Sequence, residues 1–147
     1  MICSRPLKTL HPSVADALPA LARLLHALGF PRCSARVLAA LYLSDKPLTS
    51  KELIDITGYS KSSISAAMKM LEGRRLVRKL KQGRLGSYSP SVSLSQLFLE
   101  AQVNLLERAR AKMHELRSKA NASLSSRLEH LEGELAHLIF KLKGDRD

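Results

Sequence analysis

A chain of 147 residues, 45% hydrophobic but only 4% aromatic and without Trp, has material for one main domain with a small aliphatic core and a helical appendage. Its two cysteines, Cys3 and Cys33, form no CxxC pair, which argues against a disulfide framework and a zinc site. The formal net charge of +11 is unevenly spread: residues 61–91 hold eight Lys or Arg against one acidic residue, Glu72, a net of +7, while residues 1–30, 31–60 and 92–147 net +2, +1 and +1. A generically basic protein would distribute its excess evenly. A cluster of this kind is the electrostatic footprint of a phosphate backbone.

In chain order, residues 1–12 contain Pro6 and Pro12 and lack the apolar core of a signal peptide. We expect a loosely docked arm, neither secretion nor membrane insertion, and a cytoplasmic, nucleoid-associated location. Arg5 and Lys8 could touch DNA as an arm does, but a solvated terminus is the simpler reading. Leu18, Leu21, Leu24, Leu25 and Leu28 predict an amphipathic helix that starts at Ser13 or Pro19 and stops before Gly29 and Pro31. It needs a surface to cover it, either the following module or a partner subunit. A second helix over residues 32–44 carries Ala35, Leu38, Ala39, Leu41 and Tyr42, and Asp45-Lys46-Pro47 breaks it. Cys33 lies near its N-terminus beside Arg32, a setting that can lower a thiol pKa and suggests redox sensing; an inert, partly buried thiol is the simpler reading.

Residues 48–91 organise the rest. Thr49-Ser50-Lys51-Glu52 is an S/T-x-x-E capping box. It opens a short helix through Ile56, which Gly58 can end in a left-handed conformation. Ser60 caps another helix, Lys61–Gly73, after a turn so short that the pair reads as a helix-turn-helix. Ile64, Met68 and Leu71 form its apolar stripe. Lys61, Ser62, Ser63, Ser65, Ala66 and Lys69 fall on the other side, a small polar face whose only charges are positive. A strand over residues 76–82 (Leu76-Val77-Arg78-Lys79-Leu80-Lys81-Gln82), a hairpin tip at Gly83-Arg84-Leu85-Gly86 and a return strand at Ser87-Tyr88-Ser89, stopped by Pro90, complete the order of a winged helix-turn-helix.

From Leu94 the character changes. Leu94, Leu97, Phe98, Ala101, Leu105, Ala109, Met113, Leu116 and Ala120 predict one long helix, residues 121–126 a bend or turn, and Leu124, Leu128, Leu131, Leu135, Leu138 and Leu142 a coiled-coil seam of alternating four- and three-residue spacing. Such a seam must pack on the preceding helix, on the first helix or on a second copy, and homodimerisation is the simplest outcome. His130, Glu134 and His137 could suggest a metal site, but they flank the seam without a cysteine and are better read as solvated. Asn121-Ala122-Ser123 matches a glycosylation acceptor, without meaning where no secretory route is expected. With no Gly-rich phosphate loop, GxSxG elbow or paired catalytic carboxylates, we expect neither an enzyme nor a cofactor. The fold class is therefore mainly α with a small β-hairpin wing: residues 1–30 an arm and helix, 31–91 the winged module, 92–147 a coiled-coil-like dimerisation region.

Leu48-Thr49-Ser50-Lys51-Glu52-Leu53, Gly58-Tyr59-Ser60-Lys61-Ser62-Ser63-Ile64-Ser65 and Leu71-Glu72-Gly73-Arg74-Arg75-Leu76-Val77 resemble the MarR superfamily of regulators. The added first helix and the C-terminal helical pair are similar to the GbsR-like branch. Three positions depart from the family pattern: Thr57 stands at a usual Leu, Tyr59 at an aliphatic residue, and Arg75 at a frequent Gly. The resemblance implies a homodimeric, sequence-specific transcriptional regulator on double-stranded DNA, with a roughly palindromic operator, room for a small-molecule effector of unidentified chemistry, and no membrane partner. Under it, Ser62, Ser63, Ser65 and Lys69 are candidates for base edges; Ser60, Lys61, Arg78, Lys79, Lys81 and Arg84 are candidates for phosphates. Two rival readings share the residues: an architectural DNA binder of little specificity, and a coiled-coil protein-interaction scaffold.

Overall fold

The computed structural model describes residues 14–82 and 85–144, so Cys3, Arg5, Lys8, Gly83 and Arg84 lie outside the described residues. The elements are α1 Val14–Ala27, α2 Arg32–Leu43, β1 Leu48–Thr49, α3 Ser50–Thr57, α4 Lys61–Gly73, β2 Val77–Gln82, β3 Leu85–Pro90, α5 Leu94–Arg117 and α6 Ala122–Gly144. They fall into two units, one up to Leu94 and one from Ser95.

In the first unit α1 runs through Pro19 rather than starting there, and it packs along α2, burying Leu18 and Leu25. Gly29, at φ 111°, turns the chain between them. The core is aliphatic: Leu25, Val37, Leu38, Leu48, Leu53, Ile64 and Leu71 are fully enclosed. Each such side chain contributes about 1.5–3 kcal/mol relative to exposure. The capping box forms as the sequence predicts. The Glu52 amide donates to the Thr49 hydroxyl at 3.2 Å, and the Thr49 amide donates to the Glu52 carboxylate at 2.9 Å. Gly58, at φ 79°, closes α3 in the left-handed region. Thr57, which replaces an expected apolar residue, is buried with its hydroxyl satisfied by the Leu53 carbonyl at 2.7 Å.

The sheet has one strand more than the sequence suggested. β1, only Leu48 and Thr49, pairs antiparallel with β3 opposite Tyr88 and Ser87, giving the order β1-β3-β2. β3 also starts earlier than expected, at Leu85, and takes in Pro90, because β2 pairs with it all the way from Gln82↔Leu85 to Val77↔Pro90. Leu76 does not join β2. Its amide donates to the Leu71 carbonyl at 3.0 Å and that of Arg75 to the Glu72 carbonyl at 2.9 Å, a Schellman closure of α4. Arg75 takes the φ of 60° that the closure demands, doing with an L side chain what glycine does more cheaply.

The second unit is an antiparallel helical hairpin. Arg117 joins Glu132 at 2.7 Å near its turn, and Lys143 joins Glu107 at 2.9 Å at its open end. The bend or turn expected at 121–126 falls earlier, at residues 118–120: α6 begins at Ala122, and the Asn121 carboxamide oxygen caps it by accepting from the Leu124 amide at 2.8 Å. The predicted long helix likewise stops at Arg117, short of Ala120. The leucine seam divides into two rows. Leu128, Leu135 and Leu142 are half-buried on the face that carries Glu132 and the buried Ile139, so this row covers α5; Leu124, Leu131 and Leu138 remain 46, 41 and 42% exposed. No helix among the described residues is long and apolar enough to cross a membrane.

Candidate nucleic-acid interface

Helix α4 is held by its inner face and offers its outer one. Ile64, Ala67, Met68 and Leu71 are buried, whereas Lys61, Ser62, Ser65, Ala66 and Lys69 are exposed. The exposed positions follow the i, i+4, i+8 and i+1, i+5 spacing of one helical face. The helix's single carboxylate, the exposed Glu72, lies in its last turn, three residues after Lys69 on the flank of this face. Small side chains let a backbone approach closely, and two lysines favour an anion-lined groove.

The serines are not equivalent. The Ser60 hydroxyl accepts from the Ser63 amide at 3.2 Å as the helix N-cap, donates to the Ser63 hydroxyl at 3.0 Å and lies 3.1 Å from the Ser62 hydroxyl. Ser60 is thus a cap before it is a ligand. Ser63 is only half-exposed, and its carbonyl accepts from the Cys33 thiol at 3.6 Å, which fastens α2 to the first turn of α4. Ser62, Ser65, Lys61 and Lys69 remain as the open set. Cys33 itself is half-buried, and burial pushes its thiol above the ordinary value. This agrees with the simpler reading of an inert, partly buried thiol and not with activation beside Arg32.

On the wing, strand alternation separates Arg78 from Lys79 and Lys81. Arg78 donates through Nε to the Ser89 hydroxyl at 3.3 Å across the ladder. Lys79 lies along the opposite face, its Nζ 5.8 Å from the Tyr88 ring centroid. Its stem passes close over Gly86: a Cβ there would meet Lys79 Cε at 2.5 Å, a contact the flexible lysine relieves by shifting. Lys81 is exposed. The hairpin therefore presents cations on both sides rather than one row.

Sequence reasoning overlooked the arginines around this interface. Arg74 stacks over the Phe30 ring at 4.9 Å, and Arg32 and Arg36 stand one turn apart on α2. Counting charge by segment hid the latter pair, because Asp45, Glu52 and Asp55 fall in the same thirty residues. Glu52 is in fact spent on its cap and on Lys46 at 3.0 Å, and the Thr49 amide above all holds its carboxyl below the ordinary range.

Residues 28–84, the stretch from the end of α1 through the start of the wing, match the MarR family model. That stretch of the winged module is similar to the MarR family. The chain is 26% identical over 126 residues to the HTH-type transcriptional regulator YvaV of Bacillus subtilis (strain 168), covering 84% of this chain and 71% of that protein. It is 28% identical over 107 residues to the HTH-type transcriptional repressor OpcR of the same organism, covering 71% of this chain but only 58% of OpcR. A crystal structure of a transcriptional regulator superposes with a TM-score of 0.71 at 16% identity, over 91% of this chain and 95% of that one, a likeness of fold. These relatives are regulators, not enzymes. In this winged-helix arrangement α3 and α4 form the helix-turn-helix, and β2 and β3 form the wing.

Proposed function

We propose that this protein is a DNA-binding transcriptional regulator of the GbsR-like branch, working in the cytoplasm on the nucleoid as a homodimer. The observation that carries the reading is the outer face of α4, where Lys61, Ser62, Ser65 and Lys69 stand exposed and the one carboxylate, Glu72, is confined to the last turn. In this reading α4 enters the major groove; Ser62, Ser65 and Lys69, with the half-exposed Ser63, meet base edges. Lys61, Ser60, Arg78, Lys79, Lys81 and Arg84 hold phosphates. A single module makes few contacts, so two are held about 34 Å apart on successive turns of the duplex. The row of Leu124, Leu131 and Leu138, left open by α5, supports self-association through α6, a helix of 23 residues and about 35 Å. The helical pair and α1 in addition to the winged module support the GbsR-like assignment.

Selection of bound sequences from a random double-stranded DNA pool tests this directly. A roughly palindromic motif should be enriched and should survive excess random competitor. Binding that excess competitor removes without any enriched motif would replace the operator reading with an architectural one. No binding at moderate salt would leave the protein-scaffold reading.

A further inference from the structure

The positive surface of α4 does not stop at its N-terminal end. Arg23 of α1, Arg32 and Arg36 of α2 and Tyr59 of the turn before α4 line one surface recess. No residue lining it is acidic and none is buried. Among the described residues, the three arginines form no ion pair. A face meant only for solvent usually mixes both signs of charge, whereas this one gathers three guanidinium groups from two helices without a carboxylate. Salt screens their mutual repulsion but does not turn it into attraction.

Their place matters as much as their charge. The Cys33 thiol, one residue after Arg32, donates to the Ser63 carbonyl at 3.6 Å and so sets the first turn of α2 against the first turn of α4. Tyr59 directly precedes the Ser60 cap. The arginines therefore continue the positive surface of Lys61 onto α2 and α1, at the opposite end of α4 from the root of the wing at Val77. Helix α4 has 13 residues and is about 20 Å long, against a major groove about 12 Å wide. Groups beyond its N-terminal end consequently meet the sugar-phosphate backbone and not base edges. We propose that Arg23, Arg32 and Arg36 form a second backbone-binding surface, outside the helix-turn-helix and the wing, that holds DNA phosphates flanking the groove entered by α4. Guanidinium forks fit a phosphate two bonds at a time. Tyr59, at a position where the family pattern is aliphatic, adds a phenolic O–H of the kind that donates to phosphates. Such contacts carry no sequence information; they fix the position of α4 and lengthen the footprint. The inference rests on the DNA-binding reading and adds a surface which that reading does not need.

The test uses the full chain and a random-sequence duplex, read by fluorescence anisotropy over a salt series, with Lys69→Ala as reference. Arg23→Ala combined with Arg32→Ala, both at exposed positions, should weaken binding to all duplexes alike and flatten the salt dependence of log K by about one to two units. The affinity lost between about 50 and 200 mM salt should then be roughly 3- to 12-fold smaller than for the wild type. Arg23→Lys with Arg32→Lys keeps both point charges and should retain most of the slope. An unchanged slope in the alanine variant, while Lys69→Ala still weakens binding, would overturn the second surface and leave the regulator reading standing. A wild type that binds no duplex removes both. A change in which sequences the alanine variant selects from a random pool would mean that the arginines act through α4, and would refute the backbone contact. If the alanine variant melts at a lower temperature, the lysine variant decides: a wild-type slope supports the contact, and a slope as shallow as that of the alanine variant overturns it.

Discussion

Adjacent residues on α4 should fail in opposite ways when truncated, and this is the sharpest test of the interface. Met68 is 2% exposed and shares the inner face with Ile64 at 1% and Leu71 at 0%; Lys69, the next residue, is exposed. Met68→Ala removes a buried thioether arm from a close-packed layer, which costs about 2–4 kcal/mol in lost transfer energy and cavity formation. For a chain of this length, each kcal/mol lowers the melting temperature by roughly 2–4 °C, so a fall of roughly 4–16 °C is expected. Lys69→Ala removes no packing and places a better helix former on a solvent face, so stability should change by no more than about 0.5 kcal/mol. DNA binding should divide the other way. Lys69→Ala weakens specific more than non-specific binding if it reads a base edge, and it flattens the salt dependence of log K by about one unit if it holds a phosphate. Thermal melting by circular dichroism and fluorescence anisotropy at two salt concentrations measure both. A thermally silent Met68→Ala together with an unfolding Lys69→Ala would refute the helix phase and the interface with it.

Arg75→Gly should relieve a left-handed L residue, a gain of about 1–2 kcal/mol that the more flexible unfolded chain partly offsets; a net rise of about 0.5–1 kcal/mol in chemical denaturation is expected, with weaker DNA binding through the lost cation. A loss of stability would mean the Schellman closure does not set that φ. Because the folded pKa of Glu52 is depressed, its charge stabilises the fold above the ordinary carboxylate range, and the contribution is lost as pH falls through the lowered value. The melting-temperature gap between wild type and Glu52→Gln should therefore narrow from about pH 6 towards pH 3, and a constant gap would contradict it. Leu131→Glu with Leu138→Glu should yield monomers by light scattering with α6 still helical, whereas Leu135→Glu, in the half-buried row, should unfold the helical hairpin; dimers that survive the first pair would exclude this face. Arg84→Ala should lower affinity for all DNA sequences alike at unchanged melting temperature, and unaltered affinity would remove the wing tip from the interface.

Local chemistry was readable from the sequence wherever a side chain acts on its own neighbours. The Thr49–Glu52 box, the Gly58 stop and the Ser60 cap are closed within three or four residues, and the Ile64, Met68, Leu71 stripe follows from helical period alone. Features that depend on a partner distant in sequence were not readable. β1 is two residues long and exists because β3 offers it a free edge, so no propensity in Leu48-Thr49 announces it. The leucine seam looked uniform because a heptad repeat is blind to what covers each row. Only the antiparallel return of α6 along α5 assigns Leu128, Leu135 and Leu142 to one side and leaves Leu124, Leu131 and Leu138 open. Charge behaves in the same way. The +7 of residues 61–91 is contiguous and could be counted, but Arg23, Arg32 and Arg36 become a cluster only when α1 packs on α2 beside Tyr59, since electrostatic energy depends on distance in space and not along the chain.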